Sequence, residues 1–76
     1  MPADLTLNQF ILDTIAEFQR DNKGQRYGQF CFNRLAEFNP HAAWVITGTI
    51  YDPFYANDNN DPRIHRFWSK VEELWT

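Results

Sequence analysis

Residues 26–48 read RYGQFCFNRLAEFNPHAAWVITG, and this segment predicts two helices that follow each other almost without a loop. Apolar side chains recur at helical spacing over residues 26–38, and the residue before a proline avoids the helical region. The first helix should therefore end close to Asn39. Asn39 is also a favourable N-cap, and Pro40 a favourable first position, for a short helix over about residues 41–47.

Gly28 lies in the first turn of the predicted helix 26–38. Glycine at a helical position costs up to about 1 kcal/mol relative to alanine. Its presence therefore predicts that another part of the backbone approaches the helix closely at this residue.

The segment before this region predicts another helix, from about Leu5 or Thr6 to Asn22. Thr6 and Gln9 have the spacing of a capping box, and Asp4 is an alternative cap. Apolar or small side chains fall three and four residues apart and form one stripe, which comprises Leu7, Phe10, Ile11, Thr14, Ile15 and Phe18.

The C-terminal segment predicts a last helix that Asp61 caps and Pro62 opens. Residues 49–60 before it are irregular. Residues 49–51 could be extended but have no evident partner strand, and a turn over residues 52–55 and a polar Asn/Asp run follow them. The sequence thus predicts an all-α fold in a single domain over residues 1–76. The architecture is a compact bundle of about four short helices, with an irregular aromatic and Asn/Asp-rich loop before the last one.

Composition argues against most kinds of catalytic or metal site. Cys31 is the only cysteine, so no intramolecular disulfide can form, and it lies among phenylalanines, which favours a buried thiol over a nucleophile paired with His41 or His65. Residues 57–61 are rich in oxygen ligands but lack the glycine and glutamate of a calcium-binding loop. We expect no catalytic residues, no metal and no cofactor.

Location follows from the same composition. No apolar run approaches the about 20 residues that span a bilayer, and residues 1–5 lack the pattern of a signal peptide. A single unpaired cysteine is typical of a reducing compartment. We therefore expect a small acidic cytoplasmic protein that does not contact a membrane.

Aromatic residues make up 17% of the chain, more than the core of so small a domain needs. Tyr and Trp are enriched at binding hot spots, so the surplus predicts a protein-interaction module. The candidates for exposure are Phe30, Tyr51, Tyr55 and Trp75. Residues 52–61 carry three acids and no base, and the predicted partner-binding residues are Tyr51, Phe54, Tyr55, Asp52, Asp58 and Asp61.

Two further surfaces offer alternatives. Arg63, Arg66 and Lys70 share one face of the last helix and could contact nucleic acid, although the net charge of −3 argues against it. A two-fold homodimer through Trp68 and Trp75 would cover exposed rings.

A polar group at the start of the helix 26–38 has two interpretations. Arg26, Gln29 and Asn33 could form a structural cluster that bonds the irregular segment 48–55. Alternatively, these three residues and Asp52 could form a small polar binding site.

Residues 26–68 also carry a recognisable pattern: Arg-x-Gly-Gln-x-x-x-Asn-x-Leu over residues 26–35, then Pro40, Gly48-Thr49 and Asp52-Pro53-Phe54-Tyr55. This pattern resembles that of small uncharacterised bacterial and phage proteins. The resemblance implies an accessory protein of a bacterium or phage. Our leading hypothesis is therefore a non-enzymatic accessory or inhibitor protein of a phage or mobile element that binds a larger host protein.

Overall fold

The computed structural model describes residues 6–75, and within that range it contains four helices and no strand. The helices are α1 (Leu7–Arg20), α2 (Tyr27–Phe38), α3 (Pro40–Ile46) and α4 (Pro62–Leu74). The predicted all-α bundle is confirmed. Asp4 and Leu5, which the sequence offered as alternative starting points for the first helix, lie outside the described residues.

The caps predicted from the sequence set the helix ends. At the start of α1, the Gln9 amide donates to Thr6 Oγ1 (3.1 Å) and the Thr6 amide donates to Gln9 Oε1 (3.2 Å), which completes the capping box. Asn39 ends α2 and also caps α3, because its Oδ1 accepts the amide of Ala42 at 3.2 Å. Pro40 then occupies the first turn, so α2 and α3 meet at one residue.

The core is organised around the ring of Phe10, which is fully buried. Its centroid lies 5.2 Å from that of Phe38 on α2, 6.0 Å from Trp68 on α4 and 5.1 Å from Trp75 at the end of α4. Aromatic pairs of this kind contribute about 0.5–1.5 kcal/mol each beyond the area they bury. The other buried apolar side chains of this core cluster are Tyr27, Cys31, Leu35, Ala42, Ala43, Ile46, Ala56, Ile64, Phe67 and Val71.

The α3–α4 loop, residues 47–61, is a succession of turns. The extended alternative for residues 49–51 does not form, because the amide of Thr49 bonds back to Ile46 O (3.1 Å) and the amide of Asp52 bonds back to Thr49 O (3.1 Å). Backbone groups that could pair with a strand are satisfied within these turns instead.

The loop is attached to α2 at Gly28, where the predicted close approach is confirmed. The Gly28 amide donates to Ala56 O (2.9 Å), and the Ala56 amide donates to Pro53 O (2.8 Å). A Cβ built on Gly28 would lie 1.8 Å from Pro53 O, so no other residue fits without moving the loop. Pro53 and Ala56 are buried at this junction.

Candidate functional site

Large apolar side chains are exposed mainly along residues 44–55. Trp44 is 75% exposed, Ile50 69% and Tyr55 65%, while Leu12, on the outer side of α1, is 66% exposed. We call Trp44, Ile50 and Tyr55 the exposed apolar set. Exposed Trp and Tyr side chains close together in the sequence are candidates for contact with another molecule.

Trp44 is exposed because α3 is short and uses its other side for the core. Ala42, Ala43 and Ile46 are buried, which leaves Trp44 on the opposite side, where its ring stacks on that of His41 at 6.4 Å and 24°. Trp44 was not among the residues predicted to be exposed. The sequence does contain a signal for this exposure. Small residues mark the side of a helix that packs closely, so Ala42, Ala43 and Ile46 indicate the buried side of α3 and leave Trp44 on the other side.

The predicted aromatic candidates in the loop differ in exposure. Tyr55 is exposed, as predicted; its ring meets Phe54 edge-on (5.3 Å), and the Arg26 guanidinium lies 6.0 Å from its centroid. Phe54 is half-buried. Tyr51 is also half-buried because it packs against the core, and Lys70 Nζ lies 5.2 Å from the centroid of its ring. Tyr55 is thus the loop aromatic most accessible to a partner.

Two of the three predicted partner-binding acids use both carboxylate oxygens in hydrogen bonds within the protein. Asp52 accepts the amide of Gly48 at one carboxylate oxygen (2.9 Å) and that of Phe54 at the other (3.0 Å), which closes the turn. Asp61 caps α4 and binds Arg63 through Nε (3.0 Å) and Nη2 (2.7 Å).

The pairing of Asp61 has an electrostatic consequence. Hydrogen bonds from the Arg63 side chain and backbone lower the pKa of the Asp61 carboxyl to about 2. Asp58 differs from both other acids because its side chain is exposed and accepts one local bond, from the amide of Asn60 (2.9 Å). Asp58 is therefore the acid of the loop that is open to a partner.

Two other exposure predictions need correction. Phe30 is only 8% exposed, because its ring packs edge-on against Phe18 of α1 (5.4 Å). Trp75 is half-buried because it packs against Phe10. Trp68, its predicted companion in a homodimer, is likewise half-buried against Phe10, so both rings already have apolar contacts within the monomer.

The loop contacts α2 close to the predicted structural cluster of Arg26, Gln29 and Asn33, but backbone atoms and not these side chains make the hydrogen bond. The Gln29 and Asn33 side chains make no hydrogen bond to residues 48–55 in the part of the chain that the structure describes, and Arg26 reaches the loop through the Tyr55 ring. The backbone bond at Gly28 makes the connection instead, because a glycine lets the loop approach too closely for side chains to fit between.

The three cations of the predicted nucleic-acid face each have a partner within the chain. Arg63 is held by the N-cap carboxylate described above. Arg66 Nε donates to Ile50 O (3.2 Å), and Lys70 Nζ lies 3.8 Å from a carboxylate oxygen of Glu73. Carboxylates therefore partly neutralise Arg63 and Lys70, and a backbone oxygen binds Arg66. These contacts reduce the attraction of the face for phosphate.

Cys31 is fully buried, as the sequence predicted, and burial raises the pKa of its thiol to about 12. His41 and His65 are both exposed, whereas a nucleophile requires a thiolate within hydrogen-bond reach of a base. Burial also raises the pKa of the neighbouring Tyr27 hydroxyl. These core groups carry no reactive thiolate at neutral pH.

Residues 6–75 hold neither a group of metal ligands nor a membrane-spanning helix. No three His, Cys, Asp or Glu side chains in that range are placed to hold a metal ion. None of the helices described there is long and apolar enough to cross a membrane.

Comparison of the chain with known protein families, with curated proteins and with solved structures found no match.

Proposed function

We propose that this protein is a non-enzymatic interaction module that docks on a larger protein through the exposed apolar set, Trp44, Ile50 and Tyr55. The observation that carries this proposal is Trp44, which is 75% exposed although tryptophan is usually well buried. Tryptophan and tyrosine bury a large area with few rotatable bonds, so they dominate binding energy at interfaces.

The attachment of the α3–α4 loop supports the same proposal. Asp52 closes the turn at one end of the loop, the Gly28–Ala56 bond holds its middle and Asp61 fixes its far end. Tyr55 lies next to the held segment, so its position is defined before a partner arrives. Binding then requires little ordering of the loop.

Charge favours a basic surface on the partner. The net charge of the chain is −3, and Asp58 is exposed beside the aromatic part of the loop. Complementary charge speeds encounter and helps to select the partner.

The resemblance of residues 26–68 to small bacterial and phage proteins suggests the biological setting, an accessory or inhibitor protein of a phage or mobile element. A buried free thiol is compatible with action in the cytoplasm of the host.

The proposal is tested by affinity capture with three baits: the natural chain, a Trp44→Ala/Tyr55→Ala double variant, and Leu12→Ala as the matched control. Leu12 is as exposed as Tyr55 but lies on α1, away from the loop. The partner should be retained by the natural chain and by Leu12→Ala. The double variant should bind at least about 30-fold more weakly, as expected for the loss of a hot spot.

Circular dichroism should show that all three baits are folded. If the same proteins are captured with equal affinity by all three, the exposed apolar set does not form the interface.

A further inference from the structure

A second candidate site lies on another part of the molecule, in a groove of about 500 Å³ between the end of α1 and α2. This volume falls within the range of small-molecule sites. Phe30 contributes the apolar part of the lining, and the charged and polar lining includes Asp21, Lys23, Asn33, Arg34 and Glu37.

Arg34 is held in one orientation by contacts inside the protein. Its Nε donates to Thr14 Oγ1 (3.0 Å), and Thr14 is itself fully buried and donates to Phe10 O (2.7 Å). The guanidinium carbon lies 5.6 Å from the centroid of the Phe10 ring and 5.4 Å from that of Phe38. The position of the guanidinium group is therefore fixed before any ligand binds.

The two Nη groups of Arg34 remain open. No carboxylate of residues 6–75 lies within ion-pair distance of Arg34, although Glu37 is one helical turn away and lines the same groove. Paired N–H groups of a guanidinium match the two oxygens of a carboxylate. The side-chain amide of Asn33 also lacks a partner among these residues.

The charges around the groove determine which ligands fit. Arg34 and Lys23 supply positive charge, and Glu37 and Asp21 supply an equal number of negative charges. Arg20 and Glu17 also line the groove, but they form an ion pair with each other. A simple anion would be repelled by the acids and a simple cation by the bases. A molecule that carries one charge of each sign complements both halves.

We propose that the groove binds a zwitterion of amino-acid size, with Arg34 holding its carboxylate and Glu37 its ammonium group. Side chains one turn apart on a helix have Cβ atoms about 5–6 Å apart, which suits neighbouring charges on one small molecule. Asn33 adds hydrogen bonds to the ligand.

The test uses three probe pools in NMR titrations of the folded full chain: the natural amino acids, their N-acetyl derivatives and their amides. Each pool is limited to amino acids with uncharged side chains, so the acetyl pool keeps only the backbone carboxylate and the amide pool only the ammonium group. Saturable shifts at Asn33 and Arg34 should occur with the free amino acids. Both modified pools should bind at least about tenfold more weakly than the free amino acids, since each lacks one charge-assisted hydrogen-bonding group.

Two variants assign the roles. Glu37→Gln should weaken binding of the free amino acids about tenfold and leave the acetyl pool unchanged. Its matched control is Glu72→Gln, which changes another exposed acid, on α4 and outside the groove. Arg34→Lys keeps the charge but loses the paired N–H groups, so it should weaken the free and acetyl pools alike.

Three results would overturn the proposal. They are the absence of saturable shifts with the amino-acid pool, equal affinity for the acetyl pool, and unchanged amino-acid binding by Glu37→Gln.

Discussion

Replacement of Gly28 by alanine should destabilise the protein, although alanine is the better helix former. The Cβ of alanine would lie 1.8 Å from Pro53 O and 2.9 Å from the Ala56 Cβ. Contacts this short are not tolerated, and the nearest atom belongs to backbone that cannot rotate away. The α3–α4 loop must therefore move off α2.

The magnitude follows from what this movement breaks. The Gly28–Ala56 hydrogen bond contributes about 1 kcal/mol, and loss of tight packing around the buried Pro53 and Ala56 costs about 2–3 kcal/mol more. The better helix propensity of alanine returns up to about 1 kcal/mol. We expect a net loss of about 2–3 kcal/mol, which for a domain of this size lowers the Tm by roughly 10–20 °C.

The free energy of unfolding should be measured by urea titration, with Gly24→Ala as the matched control. Gly24 has a φ of +74° but open space around its Cβ position, so alanine there meets only the conformational cost of about 1–2 kcal/mol. If Gly28→Ala is as stable as the natural chain, or less perturbed than Gly24→Ala, the steric argument is refuted.

Three further predictions concern buried or paired polar groups. Because Arg63 lowers the pKa of Asp61 to about 2, the pair stabilises the fold above the ordinary carboxyl pKa of 3.8, and this contribution is lost as the pH falls towards 2. In thermal melts, the Asp61→Asn variant should therefore lose less stability over that interval than the natural chain, and equal losses would contradict the pairing. Burial raises the pKa of Cys31 to about 12, so a thiol reagent at about pH 8 should label it only through unfolding, and fast labelling without denaturant would show that the thiol is accessible. Thr14→Val removes the acceptor of Arg34 Nε and should cost about 1–2 kcal/mol in urea titrations, whereas an unchanged midpoint would mean that the bond contributes nothing.

Local chemistry in the sequence was sufficient to predict the fold. A capping box at Thr6, the Asn39-Pro40 junction and the Asp61-Pro62 start are short-range signals, and each marks a helix end in the structure. Hydrophobic spacing likewise predicted the buried face of α1. These features depend on residues within one or two turns of each other, which is the range over which a sequence is directly informative.

The surface was harder to predict because exposure depends on which elements pack together. Phe30 lies off the main stripe of α2, yet Phe18 of α1 covers it. Trp44 lies on a helix too short to show a clear period, and its exposure follows from the way α3 meets the core. The oriented guanidinium of Arg34 depends on Thr14 and Phe10, which are about 20 residues away in sequence.

Slow hydrogen exchange is expected at two backbone amides where the α3–α4 loop meets α2. The amides of Gly28 and Ala56 both lie in buried residues and bond to Ala56 O and Pro53 O, so they meet solvent only when the loop separates from the helix. Their protection should approach that of the core amides of α2, whereas the amide of Asn59 should exchange rapidly. Tyr55, next to Ala56, would then belong to the same cooperative opening unit as the core.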